Sequence, residues 1–418
     1  LYILILVFPL SFLFRSGAIN LNIILINLII LIHLISKKNV NLFKDDFIKF
    51  LLLFFLYIFV NSIIHFISIE TILKSLGNFR YLLLSIGVYF VLNSISKKNK
   101  NTFVLFQSIL IILIGLDIIF QYTFNQNLLG FYPGMCDENL MNCRRFSGVF
   151  NQELIAGGFL SQVGLLNFFL LHFIKFKDKK FAFTAITSFG LFLFIIILIT
   201  GERNALLIYI LTLFFHFYFI RKLILFIFLN FFLLLLIISL SQFSDSIKSR
   251  YLLAIDGWNV TNETKISKKI INSPWSYHYQ AAFELFLKNP INGHGPRSFR
   301  FKCKETKIEK KLIEQDDYYL GYRSCSTHPH NYMMEFLSEH GVIGFLFFII
   351  LFFKLLFKLQ RIKYKIYNEN IYLTIGTGSL LLAIIFPFKP SGSFFSTFNA
   401  SLFFYIFGYF LYYLRQIK

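Results

Sequence analysis

The amino-acid sequence predicts an all-α membrane protein with about twelve transmembrane helices and one large outer loop that contains short helices. Two observations predict this class. Hydrophobic residues make up 56% of the 418 residues and charged residues only 15%, against roughly 25% charged residues in soluble domains. Apolar stretches also recur from end to end, most of them near the roughly 20 residues that a helix needs to cross a bilayer. Because too few polar side chains remain to cover a water-facing surface, the composition argues against a cytosolic enzyme and a free nucleic-acid-binding protein.

Short charged breaks separate the apolar stretches. The predicted spans are residues 1–14, 19–36, 47–69, 76–95, 102–122, 151–174, 181–200, 204–220, 223–243, 331–353, 371–388 and 394–413. The first span is not read as a signal peptide, because no basic segment precedes it and a second span follows at once. The sequence begins at Leu1 rather than Met, so we expect that N-terminal residues are missing.

These spans divide the chain into three parts. Residues 1–243 hold nine spans and an outer loop at 123–150, residues 244–330 form the large outer loop, and residues 331–418 hold the last three spans. We expect a single domain, with its functional motifs at about 149–344.

Lysine and arginine residues are concentrated in alternate breaks. Twenty of the 41 lie near the cytoplasmic ends of the predicted spans: Lys37, Lys38, Lys44, Lys49, Lys97, Lys98, Lys100, Lys175, Lys177, Lys179, Lys180, Arg221, Lys222, Lys354, Lys358, Arg361, Lys363, Lys365, Arg415 and Lys418. Seven lie in the short breaks of the other face: Arg15, Lys74, Arg80, Arg144, Arg145, Arg203 and Lys389. The positive-inside rule therefore predicts that both termini are cytoplasmic and that residues 123–150 and 244–330 lie outside. Because membrane orientation accounts for much of the net charge of +20, no nucleic-acid partner is expected.

All four cysteines lie in the two outer segments. Thiols outside the cytoplasm normally form disulfides. Local pairing gives Cys136–Cys143 and Cys303–Cys325, although four cysteines allow three connectivities. A metal site is the alternative, but the sequence contains no Cys-x-x-Cys motif.

The large outer loop contains an amphipathic run, Tyr279–Lys288. Its apolar side carries Ala282, Phe283 and Phe286, and its polar side carries Gln280, Glu284 and Lys288. Pro290 and Gly293 follow and end the run. The pattern predicts a short helix that either lies on the membrane surface or packs as an ordinary loop helix.

Polar groups near the outer face are concentrated in four segments: 143–151, 201–204, 292–300 and 327–344. The second is the turn Gly-Glu-Arg-Asn between two apolar spans, where the charges of Glu202 and Arg203 need a partner or water. An interfacial charge that snorkels to water, or a Glu–Arg pair, is the simpler interpretation of this turn. The third, Asn-Gly-His-Gly-Pro-Arg-Ser-Phe-Arg, combines glycines that permit tight turns with Arg297 and Arg300.

The fourth segment places polar and ionisable side chains where the large loop enters the tenth span. They are His328, His330, Asn331, Glu335, Glu339 and His340. A histidine with its ordinary pKa near 6.5 accepts a proton at neutral pH, as a general base must; a structural or interfacial role is the alternative. Zinc is disfavoured, because His-Pro-His lacks a helical ligand spacing and no set of cysteines or carboxylates completes a site.

Together these segments combine arginines, including Arg145 in the first, with a basic histidine at a face that lipids reach. Arginine pairs bidentately with phosphate oxygens. A lipid-linked phosphate or pyrophosphate that carries a group for transfer therefore fits such a site.

Three motifs, in this order, resemble the O-antigen ligase family. They are Gly-Glu-Arg-Asn-Ala-Leu at 201–206, Asn-Pro-Ile-Asn-Gly-His-Gly-Pro-Arg-Ser-Phe at 289–299, and His-Pro-His-Asn-Tyr at 328–332 followed by Glu-His-Gly-Val-Ile-Gly at 339–344. The family also includes O-antigen polymerases and protein O-oligosaccharyltransferases. About twelve spans with a large periplasmic loop before the tenth agree with this resemblance.

The resemblance implies a metal-independent, inverting glycosyltransferase without a cofactor, which acts at the periplasmic face of the bacterial inner membrane. The donor would be O-antigen or another polysaccharide on undecaprenyl pyrophosphate, and the acceptor a hydroxyl of the lipid A core. His330 corresponds to the family's essential histidine and would deprotonate or orient the acceptor hydroxyl. Arg203 would bind the donor pyrophosphate and stabilise the departing charge. The other candidates for substrate binding are Arg145, Arg297, Arg300, His328 and Asn331.

The chain departs from the family at residues 274–279, Pro-Trp-Ser-Tyr-His-Tyr, where many members have an arginine. His278, or an arginine elsewhere, would replace that arginine. The same motifs also fit a polysaccharide polymerase, and a lipid-linked sugar flippase is a third interpretation. A flippase should carry charges deep within its spans, whereas the clear acid of this kind is Asp117 alone.

Overall fold

A computed structural model describes residues 1–37, 44–136, 143–151, 153–172, 174, 178–252, 274–314, 324–365 and 368–417. The regular secondary structure of these residues is helical, and an isolated bridge joins Gly134 to Arg145. The predicted all-α class is thus confirmed. Among the cations predicted to be cytoplasmic, Lys38, Lys175, Lys177 and Lys418 lie outside the described residues, as do parts of the large loop.

Sixteen helices, which we number α1 to α16, follow one another in the described residues. They are α1 (Tyr2–Leu6), α2 (Arg15–Lys37), α3 (Asp46–Ile64), α4 (Ile69–Gly77), α5 (Phe79–Ser94), α6 (Lys97–Phe124), α7 (Ala156–Leu171), α8 (Lys179–Ile199), α9 (Arg203–Phe219), α10 (Leu223–Phe243), α11 (Pro274–Lys288), α12 (Phe299–Lys302), α13 (Lys307–Glu314), α14 (Tyr332–Ile362), α15 (Glu369–Ile384) and α16 (Thr397–Arg415). Shorter turns are Pro9–Phe14, Gly148–Phe150, Asp245–Ile247, Lys248–Leu252 and Cys303–Glu305. A π-turn, Leu160–Gly164, lies within α7.

Short polar side chains begin several of the long helices. The side chains of Asp45, Ser96, Asn331 and Ser396 each accept a hydrogen bond from a backbone N–H of the helix that follows. Such caps satisfy donors that the first turn of a helix leaves without a partner. The charged breaks therefore both interrupt the hydrophobic runs and set where the next helix starts.

The predicted number of twelve spans is not confirmed. Seven stretches of the described chain are long and apolar enough to cross a bilayer: Pro9–Ser36, Asp46–Ile64, Ile69–Ser94, Lys97–Phe124, Lys179–Ile199, Leu223–Phe243 and Tyr332–Ile362. Helices α7, α9 and α15 are apolar but shorter. The predicted first span, residues 1–14, is not one helix, because α1 ends at Leu6 and a separate turn covers Pro9–Phe14. The predicted break after it is present at Arg15, whose φ is +62°.

The two helices before the C-terminus form the centre of the bundle. Every residue of α16 from Ala400 to Tyr413 is buried, and so is the run of α15 from Leu373 to Ile384. In contrast, α10 is exposed along most of its length and buries only Leu233 and Ser241. A helix that is apolar on all sides, and that the rest of the protein leaves exposed, is expected to contact lipid.

The charged breaks contact one another at two opposite ends of the bundle. At one end Arg415 lies 3.7 Å from Asp45, and at the other Arg15 lies 3.7 Å from Glu153. Each pair joins breaks that the charge distribution assigns to the same face. We call the end with Arg15 the outer end and the end with Arg415 the inner end; their orientation in the cell stays a prediction.

Helix α14 is interrupted at Gly341, whose φ of +62° and ψ of −163° are not helical. The sequence predicts one continuous span here, but residues 290–295 pack into the break. Their carbonyl groups accept hydrogen bonds from Val342 and Ile343, and the N–H groups of His294 and Gly295 donate to carbonyls on the other side of the break. In a bilayer, backbone groups freed by such a break need partners from the protein.

We predict that Gly293→Ala destabilises the protein through this docking. Gly293 has a φ of +68°, and a Cβ there would overlap the backbone of Glu339 and His340. The expected loss is about 2 kcal/mol of unfolding free energy or more, seen as a lower thermal midpoint of the reconstituted protein. Gly17→Ala in α2 is the matched control, since a Cβ there meets no atom within 4 Å. Equal midpoints for the two variants would contradict the docking.

Candidate active site

Three imidazole rings meet at the outer end, beside the start of α14. The ring of His330 lies 4.2 Å from that of His328 and 5.1 Å from that of His278, centroid to centroid. Trp275 covers the same ring edge-on at 4.8 Å. Helix α11 supplies His278 and Trp275, and the loop before α14 supplies the other two rings, so the cluster joins two separate segments of the large loop.

Local hydrogen bonds orient two of the rings. Nδ1 of His278 donates to the carbonyl of Ser324 at 3.0 Å, so its Nε2 is the free acceptor when the ring is neutral. Nδ1 of His328 lies 2.9 Å from the hydroxyl of Thr327. Nε2 of His328 is buried without a hydrogen-bond partner among the described residues.

The backbone at His330 is held in the left-handed region, with a φ of +58°. Its carbonyl accepts from the N–H of Ser391 at 2.9 Å. The side chain of Asn331 caps α14 with its oxygen and donates from Nδ2 to the carbonyls of Pro387 at 2.8 Å and Lys389 at 3.0 Å. Since these bonds use its amide, we interpret Asn331 as a residue that positions His330.

Desolvation keeps the clustered imidazoles uncharged. Burial, together with the neighbouring rings, lowers the pKa of His330 to about 3. Burial first, and then His278 and Arg300, lower the pKa of His328 to about 4. Burial also lowers the pKa of His278. A neutral imidazole at His330 has a lone pair that can accept a proton.

A cavity of about 330 Å³ lies beside this cluster and is lined by four cations, Lys74, Arg80, Arg297 and Arg300. Arg300 connects it to the imidazoles, because its guanidinium donates to the carbonyl of Thr327 at 3.4 Å. The Nε atoms of Arg80 and Arg300 are buried without a hydrogen-bond partner in the described chain. Buried donors of this kind are normally satisfied, so the cavity offers unmet guanidinium donors.

Two buried carboxylates also line the cavity, but backbone and hydroxyl donors occupy them. Glu335 accepts from the hydroxyl of Ser393 and from the N–H of Phe394 at 2.9 Å. Glu339 accepts from the N–H of Arg297 at 2.6 Å and from that of Phe299 at 3.3 Å. Neither carboxylate forms an ion pair within the described residues. The guanidinium charges therefore stay available for an anion.

A second group of arginines surrounds the turn between α8 and α9. Nε of Arg203 donates to the carbonyl of Arg250 at 2.8 Å, and Nε of Arg250 donates to the carbonyl of Gly201 at 2.9 Å. Burial, and then Arg203, Arg145 and Arg144, lower the pKa of Arg250. The mutual repulsion of these guanidinium groups favours a bound anion.

Glu202 anchors this second group. Its carboxylate accepts from the N–H groups of Gly157 at 2.9 Å and Gly158 at 3.2 Å, in the first turn of α7, and lies 3.9 Å from Arg145. Burial raises the pKa of Glu202 to about 7, although Arg145 and the two N–H groups act in the opposite direction. The predicted Glu–Arg pair at this turn thus involves Arg145, while Arg203 is exposed.

The predicted site residues fall into two groups at one end of the bundle. His278, His328, His330, Asn331, Arg297 and Arg300 surround the imidazole cluster and the cavity. Arg145 and Arg203 belong to the second group, and no hydrogen bond or ring contact of the described chain joins Arg203 to His330. The outer turn of α16 lies between them, because Thr397 lines the cavity and Phe398 packs at Gly158.

Three residues that the sequence did not single out belong to these groups. Arg80 lines the cavity, Arg250 lies among the second arginines, and Trp275 packs on His330. Trp275 lies in residues 274–279, where the sequence departs from the family, and this departure is the one sequence signal that could have pointed to it. Arg250 lies among many other cations of the large loop and outside the motifs, and Arg80 lies near the predicted start of a span with only Lys74 close to it in sequence.

Both disulfides join neighbouring cysteines, Cys136 with Cys143 and Cys303 with Cys325. Cys303 is fully buried in a small apolar cluster with residues of α11 and α12. Its bond to Cys325 therefore ties that cluster to the loop that carries His328 and His330. This crosslink limits how far the imidazole loop moves from α11.

The amphipathic run forms part of α11, which starts earlier than predicted, at Pro274. Ala281, Ala282 and Leu285 are buried, whereas Phe283 and Leu287 are exposed. The helix thus packs as a loop helix on one side and keeps an apolar side outward. Contact of that outward side with the membrane surface stays a prediction.

Fold and site together define a multi-pass helical membrane protein whose imidazole and guanidinium groups lie at one end of the bundle. Residues 188–349 match the profile of the family described as O-antigen ligase. The match confirms the resemblance that the motifs predict. The matched segment contains Arg203, Arg250 and the imidazole cluster, whereas Arg80 and Arg145 lie before it. A comparison with curated proteins finds no match.

We predict that Glu202→Ala destabilises the outer end more than Glu202→Gln. Alanine leaves the N–H groups of Gly157 and Gly158 without their acceptor, at a cost of about 1–3 kcal/mol of unfolding free energy. Glutamine keeps one acceptor oxygen and should lose less. Thermal unfolding of the reconstituted variants measures both. Glu70→Gln, which breaks an exposed pair with Lys74, is the control and should leave the thermal midpoint nearly unchanged. A loss as large as that of Glu202→Ala would contradict the assignment.

Proposed function

We propose that this protein is an O-antigen ligase, which transfers a glycan from undecaprenyl pyrophosphate to a hydroxyl of the lipid A core. Its site would face the periplasm from the inner membrane. The family match supports glycan transfer of the ligase or polymerase type. The observation that carries the proposal is the combination of a neutral, half-buried imidazole at His330 with a neighbouring cavity whose guanidinium groups form no ion pair among the described residues.

His330 serves as the general base in this proposal. A ring nitrogen accepts the proton of the acceptor hydroxyl, whose oxygen forms a bond to the anomeric carbon of the donor glycan. The bond between that carbon and the pyrophosphate oxygen breaks, and the electron pair leaves with the pyrophosphate. Attack from the side opposite the leaving group inverts the anomeric configuration.

The arginines bind the donor and stabilise the leaving group. Negative charge grows on the pyrophosphate as the glycosidic bond breaks, and preformed cationic donors stabilise that charge without reorganisation. Arg297, Arg300 and Arg80 offer this from the cavity. Arg203 and Arg250 offer a second set beside it. The mechanism needs no metal, since guanidinium groups supply the positive charge.

A flippase is a less suitable interpretation. Its predicted signature was an acid deep within a span, and Asp117 in α6 is such a residue. Asp117 is buried, and it accepts from Nδ2 of Asn127 at 3.2 Å and from the N–H of Leu128 at 3.1 Å. Its carboxylate thus holds the loop after α6 and is not free for a cargo.

Reconstitution tests the proposed reaction. The purified protein in vesicles receives an undecaprenyl-pyrophosphate glycan and lipid A core, without added divalent metal. The expected product is glycan attached to lipid A core. Lengthening of the donor glycan with unmodified lipid A core would identify a polymerase instead, and movement of intact donor across the vesicle would identify a flippase.

We predict that His330→Ala lowers the transfer rate about 10²- to 10⁴-fold and retains donor binding, because the arginines remain. His33→Gln is the control; this residue of α2 packs against Phe90 and takes no part in the site. Transfer by His330→Ala at the wild-type rate would refute the role of the base. Loss of donor binding in the same variant would assign His330 to binding instead.

We also predict the pH profile of transfer. The pKa of His330 in the free protein is about 3, so the imidazole remains uncharged when the pH falls through 6.5. Because kcat/KM reports the ionisations of the free enzyme, it should stay level from about pH 8 to about pH 5. A fall of kcat/KM with an apparent pKa near 6.5 would show that the base has an ordinary pKa and would contradict the desolvation of His330 in the free protein.

A further inference from the structure

Two adjoining cavities at the inner end lie where the turn between α9 and α10 meets the end of α14. One has a volume of about 350 Å³ and the other about 570 Å³. Arg221, Lys222 and Lys363 line both, and Lys365 lines the smaller one. None of the described residues that line them is acidic.

Aromatic rings hold two of these cations across the junction. The guanidinium of Arg221 lies 4.5 Å from the ring centroid of Tyr364, and the ammonium of Lys363 lies 3.8 Å from that of Tyr218. Each pair joins the end of α9 or the turn that follows it to the residues just after α14. Cation–π contacts fix the position of a cation but leave its charge unneutralised. Arg221, Lys222 and Lys363 form no ion pair in the part of the chain that the structure describes.

The larger cavity continues onto an exposed apolar wall. Leu223, Ile224 and Leu225, in the first turn of α10, line it and are 39%, 70% and 51% exposed. Since α10 is exposed along most of its length, this wall leads from the cations to the surface that faces the bilayer. A ligand that fits both parts has an anionic head and an apolar chain.

Another cavity at the same end differs in its charge. It has a volume of about 320 Å³ and combines Lys354, Lys358 and Arg361 with Asp45 and Asp46. The two aspartates in this lining offset part of the positive charge of the three cations. A general excess of cations at the inner end therefore does not explain why the cavities at Arg221 lack acids.

We propose that the cavities around Arg221 bind one anionic phospholipid. Arg221, Lys222 and Lys363 contact the phosphate, and an acyl chain lies along Leu223–Leu225. Basic pockets between transmembrane helices are suited to such head groups, and guanidinium pairs well with phosphate oxygens. This site is separate from the outer end, and it does not depend on the proposed glycan transfer.

The test measures lipid retention by the full-length protein. The protein is reconstituted in nanodiscs of phosphatidylcholine with a minor fraction of phosphatidylglycerol, and bound lipid is counted by native mass spectrometry. The double variant Arg221→Gln with Lys363→Gln should retain phosphatidylglycerol about tenfold less than wild type. The matched double variant Lys354→Gln with Lys358→Gln loses the same charge and should retain it within about twofold.

Three outcomes would overturn the proposal. Equal losses in the two double variants would show general attraction to inner-end charge. Unchanged retention in the Arg221 variant would show that the cavities hold no lipid. Displacement of phosphatidylglycerol by inorganic phosphate at millimolar concentration would identify a site for a soluble anion. Thermal midpoints in pure phosphatidylcholine, equal for all three proteins, show that the variants are folded.

Discussion

The outer end of this protein depends on the interruption of α14 at Gly341. A helix that crosses a bilayer cannot leave backbone groups without partners. Residues 290–295 supply those partners: Pro290 accepts from Val342, and Gly295 donates to Glu339. Helix α3 supplies a further partner, since the hydroxyl of Tyr57 donates to the carbonyl of His340 at 2.6 Å.

The same docking arranges the charged groups. By bringing the 290–295 segment against α14, it places the N–H groups of Arg297 and Phe299 on the carboxylate of Glu339. Glu202 and Glu335 follow the same rule, because each accepts from backbone N–H groups. Burial of a carboxylate is tolerated when several donors satisfy it. Because Glu335 and Glu339 bind backbone and hydroxyl donors, they hold the fold together and form no ion pair with Arg297 or Arg300 among the described residues, as recognition of an anionic donor requires.

The sequence alone predicts the helical class, the grouping of the charged breaks at two ends of the bundle, and the family motifs. Each of these depends on local composition. The sequence does not reveal that the motif around Gly293 and the motif around Gly341 pack on each other, because the apolar residues on both sides of Gly341 predict one continuous span over residues 331–353. Arg250 is hidden for a related reason: its role depends on contact with the distant turn at Gly201. The number of spans is not confirmed where helices are short, as α7, α9 and α15 are, or where a predicted span turns, as the first one does after Leu6. Hydropathy measures the apolar length of a segment and is insensitive to where its backbone turns.

If His330 is the base, the absence of an acid beside it in the described chain has a consequence. Its ring lies among other uncharged rings, and desolvation disfavours its protonated form. Such an imidazole is a weak base until negative charge comes near. The donor pyrophosphate brings that charge into the adjoining arginine sites, and it grows as the glycosidic bond breaks. The basicity of His330 would thus rise along the reaction, so that proton transfer accompanies departure of the leaving group and an acceptor hydroxyl is not activated without a donor.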